Sequence, residues 1–179
     1  MTAAIATAAV RLNLGCRRTR IPGFLNVDIR PEQDVDVVAD AADLGRFADR
    51  SVEEIYASNI LEHFPLTRTV AVLQEWRRVL VPGGRLLVSV PDFDCIAKLY
   101  MNSGFLGRWL VFHGWGEQRY PEQTHYLTFT YPTLRKALDD AGFSAARRVR
   151  RFPYGVADAS AMTDAVMGLD ISVNAVAVA

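Results

Sequence analysis

The stretch that most constrains this chain runs from Val10 to Ile29. An apolar run, Val10-Arg11-Leu12-Asn13-Leu14, ends on Gly15, and a second, Phe24 to Ile29, carries Asp28 near its end. Only Cys16–Gly23 lie between them. A parallel crossover ordinarily takes about a dozen residues or more, usually as a helix. Pro22-Gly23 excludes a long helix here, so the first crossover must be a loop or a single helical turn. A strand that closes on glycine lets a ligand approach the backbone, because no Cβ intervenes. An acidic residue near the end of the next strand can accept hydrogen bonds from both hydroxyls of a ribose. Together the two features outline the nucleoside half of a cofactor site in an open α/β sheet.

The remaining pattern supports such a sheet. Strands are expected at Arg11–Leu14, Phe24–Val27, Val35–Ala39, Glu54–Ala57, Leu86–Val90, Ala146–Arg151 and Ile171–Val178. Helices are expected at Leu66–Leu80, Phe93–Met101, Leu106–His113 and Tyr131–Ala141. In the first of these, Leu66, Val70, Leu73, Trp76 and either Val79 or Leu80 recur at spacings of three and four and make one apolar face. Pro65 suits its first turn, and Pro82-Gly83-Gly84 ends it and forces a turn. Short apolar runs alternating with helices indicate a parallel, helix-covered sheet. No internal repeat or linker divides the chain, so residues 1–179 are read as one domain.

Composition narrows the partners. Formal net charge is zero, which gives no electrostatic reason to expect nucleic acid or an anionic membrane. Cys16 and Cys95 are the only cysteines and are not clustered. They make neither a disulfide framework nor a zinc site, and a cytoplasmic location is expected. The opening MTAAIATAAV lacks a basic n-region, and Arg11 interrupts it well short of the ~18 apolar residues of a membrane span. Acidic residues are plentiful, but no ligand spacing stands out, so no metal ligand is assigned and a metal's part in the reaction is left open.

The motifs LNLGC (Leu12–Cys16), GFLNVDI (Gly23–Ile29), VVADAADL (Val37–Leu44), SVEEIYASNILEHF (Ser51–Phe64), EWRRVLVPGGRLLVSVPDF (Glu75–Phe93) and THYLTFTYPTLRKALDDAGF (Thr124–Phe143) follow one another in order. In that ordered set the chain resembles the class I S-adenosylmethionine-dependent methyltransferases, and most of all a small bacterial branch with LNLGC, NVDI and LEHF motifs. The resemblance implies a Rossmann-like α/β fold. Its sheet would be mostly parallel, with seven strands, an antiparallel C-terminal edge strand supplied by Ile171–Val178, helices on both faces and a shortened first crossover. It implies S-adenosyl-L-methionine as cofactor. Asn13, Leu14, Gly15 and Cys16 would pass beneath its methionine part, Asp28 and Ile29 would meet the ribose, Asp40 and Ala41 the adenine, and Ser58 and Asn59 the methionine side. Asp43 and Asp49 are alternatives to Asp40. The chain departs from the family pattern at Arg17, where glycine is usual. That side chain could swing outward, pair with the cofactor's carboxylate, or weaken cofactor binding.

Acceptor chemistry is less constrained. An oxygen acceptor needs a base, and His63 and His125 are the candidates; each could equally make a structural hydrogen bond that pins its loop. Phe105, Trp109, Phe112, Trp115, Tyr120 and Tyr126 form a dense aromatic group broken by Gly114, Gly116 and Pro121. A lid over the acceptor fits that composition, with Trp115 and Tyr120 facing a sugar or planar ring. The run Arg147–Arg151 reads as a solvated strand edge, or else as a docking patch for a phosphorylated acceptor. The expected activity is methyl transfer to a small molecule or saccharide, chiefly at oxygen, with a homodimer left open. A methyltransferase-like binding protein impaired at Arg17 is one alternative. A nucleotide- or NAD-binding domain is another, although Arg17 and Arg20 stand where a dinucleotide loop needs glycine.

Overall fold

In β1 (Val10–Leu14), Leu12 and Leu14 alternate with Asn13, so the two leucines share one face and the amide faces the other. That alternation sets the two layers of the molecule. The computed structural model describes residues 10–103, 115–163 and 168–179. It contains β2 (Leu25–Asp28), β3 (Val37–Val38), β4 (Val52–Ser58), α1 (Leu66–Val79), β5 (Leu80–Pro91), α2 (Phe93–Ser103), α3 (Tyr131–Asp140), β6 (Ser144–Val149) and β7 (Ser172–Val178). The expected helix Leu106–His113 lies outside the described residues.

The strands form one seven-stranded sheet in the order β3-β2-β1-β4-β5-β7-β6. The first five pair in parallel, and β7 runs antiparallel to both β5 and β6. The fold is therefore the mostly parallel Rossmann-like sheet with an antiparallel C-terminal strand. One detail is corrected: the antiparallel strand is not the edge. β7 lies inside, with Leu86 opposite Ala177 and Val88 opposite Ala175. Val173, Ala175 and Ala177 are fully buried, as an interior strand requires, whereas arginine-bearing β6 takes the edge, where charge discourages further pairing.

Leu12, Leu14, Ile55, Ala57, Leu86, Val88 and Ala175 pack with Val72, Leu73 and Trp76 of α1 and with Leu134 and Leu138 of α3. The buried stripe of α1 is Thr69, Val72, Leu73, Trp76 and Val79; Leu66, expected on it, is exposed. Trp76 buries its indole and donates Nε1 to the Ala41 carbonyl at 2.8 Å, which meets its need for a partner. α1 and α3 cover this face, while Cys95 and Leu99 of α2 pack with Ile171 in a separate cluster. On the opposite side Tyr56 and Leu87 are covered by Ile21, Phe24 and Phe152, from loop or strand-flanking chain. The crossover above them is too short for a helix.

Other limits shift for local reasons. β5 begins at Leu80, because α1 runs directly into extended backbone there. Pro82-Gly83-Gly84 is a detour within the strand, marked by a register shift against Val52–Glu54. β3 shrinks to two residues, since Asp34 and Asp36 turn to Arg20 at 3.2 and 3.0 Å. No helix among the described residues is long and apolar enough to cross a membrane.

Candidate functional site

The short crossover stands without a helix because two buried amides satisfy it. Asn13 Nδ2 donates to the Thr19 carbonyl at 2.8 Å and to Asn26 Oδ1 at 3.0 Å, and Asn26 Nδ2 donates to the Asp34 carbonyl at 2.8 Å. Buried backbone groups need such partners. Asn13 is therefore committed to the crossover, and Leu14 to the core. Either would meet a cofactor through its backbone alone.

Gly15 ends β1 at φ +63°, and a Cβ there would lie 2.6 Å from Ile60 Cδ1. Both facts demand glycine. The Gly15 amide donates to the Val27 carbonyl at 2.9 Å, which ties the loop to β2. Asp28, buried at the end of β2, accepts the Arg17 amide on Oδ2 at 2.9 Å and the Arg30 amide on Oδ1 at 3.0 Å. A carboxylate has about four lone-pair sites, so one on each oxygen is left for a pair of hydroxyls. Ile29, next in the chain, is exposed. Cys16 is buried, and burial with the nearby Asp28 charge pushes its thiol up to about 12. It is no nucleophile.

Arg17 occupies the left-handed region at φ +48°, the conformation glycine would take without strain. Its backbone holds Asp28 regardless of side chain. The guanidinium turns outward and pairs with Glu117 at 3.3 Å, which is the first of the three courses open to it. Arg30 lies 3.5 Å over the Tyr120 ring and 3.7 Å from Glu122. The strap 115–126 thus touches the loops after β1 and after β2.

Asp40 Oδ1 accepts the Ala42 amide at 2.8 Å and makes a tight turn. The neighbouring Ala41 is buried, its carbonyl held by Trp76. Ser58 closes β4, and Asn59 follows at φ +51°, a conformation asparagine tolerates. Its side-chain oxygen accepts the Ser89 hydroxyl at 3.3 Å, which binds together the ends of β4 and β5.

Beyond Asn59 a 3-10 turn (Leu61–His63) buries Glu62 completely. His63 and His125, distant in sequence, meet edge to face with ring centroids 4.7 Å apart. His63 Nδ1 lies 3.1 Å from the Thr124 carbonyl, and the Tyr126 amide donates to the Glu62 carbonyl at 2.9 Å. His125 Nε2 lies 3.9 Å from Glu62 Oε1. Burial raises the Glu62 carboxyl to about 8 and pushes His63 below its usual range, so His63 is neutral near pH 7. Trp115 and Tyr120 are exposed on the strap; the expected lid residues Phe105, Trp109, Phe112 and Gly114 fall outside the described residues. Glu62, Glu117 and Arg30 were not among the sequence-derived site residues. Only Glu62 left a signal there, as a carboxylate in an otherwise apolar turn beside a histidine. The arginines of the 147–151 run are largely neutralised: Arg148 pairs with Asp92 at 3.0 Å, and Arg150 and Arg151 pair with Asp170 at 3.3 and 2.8 Å.

These features sit at the C-terminal ends of β1, β2 and β4, where open α/β sheets bind ligands. Residues 20–88 match the methyltransferase domain family. A sequence comparison with curated proteins returns no match. Among solved structures, the chain is similar to a SAM-dependent methyltransferase from Archaeoglobus fulgidus, at 15% identity and TM-score 0.61, covering 96% of this chain and 87% of that one. It is also similar to 1,6-didemethyltoxoflavin-N1-methyltransferase from Burkholderia thailandensis, solved with bound 1,6-didemethyltoxoflavin and S-adenosylhomocysteine, at 16% identity and TM-score 0.58, covering 97% of this chain and 72% of that one. A third is the CurJ carbon methyltransferase, at 16% identity and TM-score 0.56, covering 99% of this chain and 50% of that one. At such identities the likeness is one of fold.

Proposed function

We propose that this chain is an S-adenosylmethionine-dependent methyltransferase acting at an oxygen of a small-molecule or glycan acceptor. The observation that carries this reading is Asp28, fixed by the Arg17 and Arg30 amides with lone pairs to spare, beside a Gly15 loop that no Cβ obstructs. These residues fit the cofactor: the carboxylate suits two ribose hydroxyls, and Ile29 offers exposed apolar surface beside it. Asp40 and Ala41 would flank the base, and Ser58, Asn59 and the Gly15–Cys16 backbone the amino-acid portion.

When bound, S-adenosylmethionine supplies a methyl group already activated on sulfur. The protein's share is then to place the acceptor in line and exclude water. An oxygen acceptor must also lose a proton. Neutral His63, turned by its contact with Thr124, and His125 stand where the strap meets the turn after β4 and would accept it. The outward course of Arg17 supports an active enzyme over an impaired one. Two buried cysteines, neither in a disulfide, fit the reduced cytoplasm as its location.

Calorimetric titration with S-adenosylmethionine and with NAD tests the reading, followed by a screen of saccharides, carboxylates and phenols for transfer of labelled methyl. The wild type should bind S-adenosylmethionine and not NAD. Asp28→Ala should weaken that binding by roughly 2–4 kcal/mol, since charge-assisted hydrogen bonds are lost. A folded Asp28→Ala protein with unchanged affinity would refute the site.

A further inference from the structure

We propose that Glu62, His63 and His125 form a binding site for one divalent transition-metal ion of the zinc type. Each residue presents one ligand atom, and the three atoms lie within 4.8 Å of one another. The Glu62 Oε1 to His125 Nε2 separation is 3.9 Å. That is too long for a hydrogen bond and a few tenths of an ångström above the ~3.4 Å that separates two ligands held about 2.1 Å from a tetrahedral zinc ion, a gap that a small side-chain movement closes.

A second, independent observation comes from Glu62. Its side chain is fully buried, and among the described residues neither carboxylate oxygen meets a donor in good hydrogen-bond geometry, the Asn59 side chain being its nearest polar influence. Buried carboxylates are normally paired or metal-bound, because isolated burial is costly. The third comes from His63, whose Nδ1 meets the Thr124 carbonyl at 3.1 Å. A metal-ligating histidine almost always gives its other ring nitrogen such a partner, which fixes tautomer and ring plane.

The fold brings the donors from two elements. The turn after β4 carries Glu62 and His63, and the strap carries His125, held in place by the Trp115 carbonyl accepting its amide at 3.1 Å and by the Tyr126 amide on Glu62. Two imidazoles and one carboxylate leave a position open on a four-coordinate ion, the pattern of a catalytic rather than a structural site. With the ion bound, both histidines serve as ligands and no longer as proton acceptors; a hydroxyl bound there would instead release its proton to solvent more readily. That service rests on the methyltransferase reading; the site itself does not.

The test uses the tag-free chain after dialysis against EDTA. Cobalt(II) titration should give saturable visible absorption at one ion per chain, and zinc should abolish it by competition. His63→Ala and His125→Ala, each checked by circular dichroism, should weaken binding by more than about 100-fold. Because either variant could fail to fold, diethylpyrocarbonate modification of the wild type supplies a second measurement: zinc should protect two of the chain's 3 histidines. Absence of stoichiometric cobalt binding, or equal binding by both folded variants, or equal modification with and without zinc, overturns the site in favour of a histidine–carboxylate proton pair. S-adenosylmethionine titration of the same sample reports separately on the cofactor reading.

Discussion

Gly15 offers the sharpest test of the cofactor loop, because its two constraints can be separated. In Gly15→Ala the residue must hold φ +63°, and its Cβ comes 2.6 Å from Ile60 Cδ1 and 3.2 Å from Ile60 Cβ and Cγ1. A left-handed conformation costs a non-glycine residue about 1–2 kcal/mol. Moving Ile60 off its rotamer adds about 0.5–1.5 kcal/mol, while the stiffer unfolded chain offsets about 0.4–1 kcal/mol. The net expectation is a loss of roughly 1–3 kcal/mol, read by urea denaturation. Ile60→Val removes Cδ1, the atom in closest conflict, and leaves the backbone strain. The double variant Gly15→Ala/Ile60→Val should therefore show a favourable coupling of about 0.5–1 kcal/mol relative to the summed single changes. A neutral Gly15→Ala would refute the strain argument. Strict additivity in the double variant would refute the contact with Ile60.

Arg17→Gly should leave cofactor affinity within about 0.5 kcal/mol of wild type, since the amide that holds Asp28 survives and the lost side chain is exposed; a pronounced loss in calorimetry would mean the guanidinium grips the cofactor. Glu75 accepts the Leu44 amide at 2.8 Å and Arg78 Nε at 2.7 Å, and those bonds hold its carboxyl below the ordinary value of 4.5. Its contribution is thus present above that pH and lost as pH falls below it. Glu75→Gln should cost about 1–2 kcal/mol at pH 7 and should flatten the acid limb of a stability–pH curve; an unchanged limb would contradict the pairing. Trp115→Ala and Tyr120→Ala should impair turnover, with little change in cofactor affinity for Trp115→Ala. Equal loss of turnover and cofactor in both would place the strap in the core rather than over the acceptor.

The half of the fold that depends on local pattern was legible. Gly15, Asp28 and the short crossover stand in one continuous stretch, and the structure places them together. Trp76 likewise marked the buried side of α1. Features that depend on distant partners were hidden. Leu66 lies at the right spacing, but the buried side of the first turn is the one that carries Thr69, so Leu66 is exposed. Pro82-Gly83-Gly84 has the chemistry of a turn, yet the pairing of Leu80 with Val52 carries the strand back past it. The interior place of β7 depends on β6 pairing beyond it, which strand composition alone suggests only weakly. The cluster of Glu62, His63 and His125 joins residues far apart in the chain, so ligand spacing could not disclose it, and no metal ligand was assigned from the sequence. At Arg17 an outward course was one of three readings the sequence left open; its partner Glu117, far along the chain, was not visible there.

The strap has a kinetic consequence. Glu117 fastens it to the loop after β1, and Tyr120 with Glu122 fastens it to the loop after β2. On the proposed methyltransferase reading, releasing these fastenings would free both loops together, and turnover should follow a compulsory order in which the cofactor enters before the acceptor and its spent form leaves last. The fastenings are largely exposed charge pairs, and salt screens such pairs over a Debye length of about 10 Å at 0.1 M. Rising ionic strength should then quicken cofactor exchange while leaving the buried hold of Asp28 as tight as before, so that traffic through the site and grip within it answer to different solution conditions.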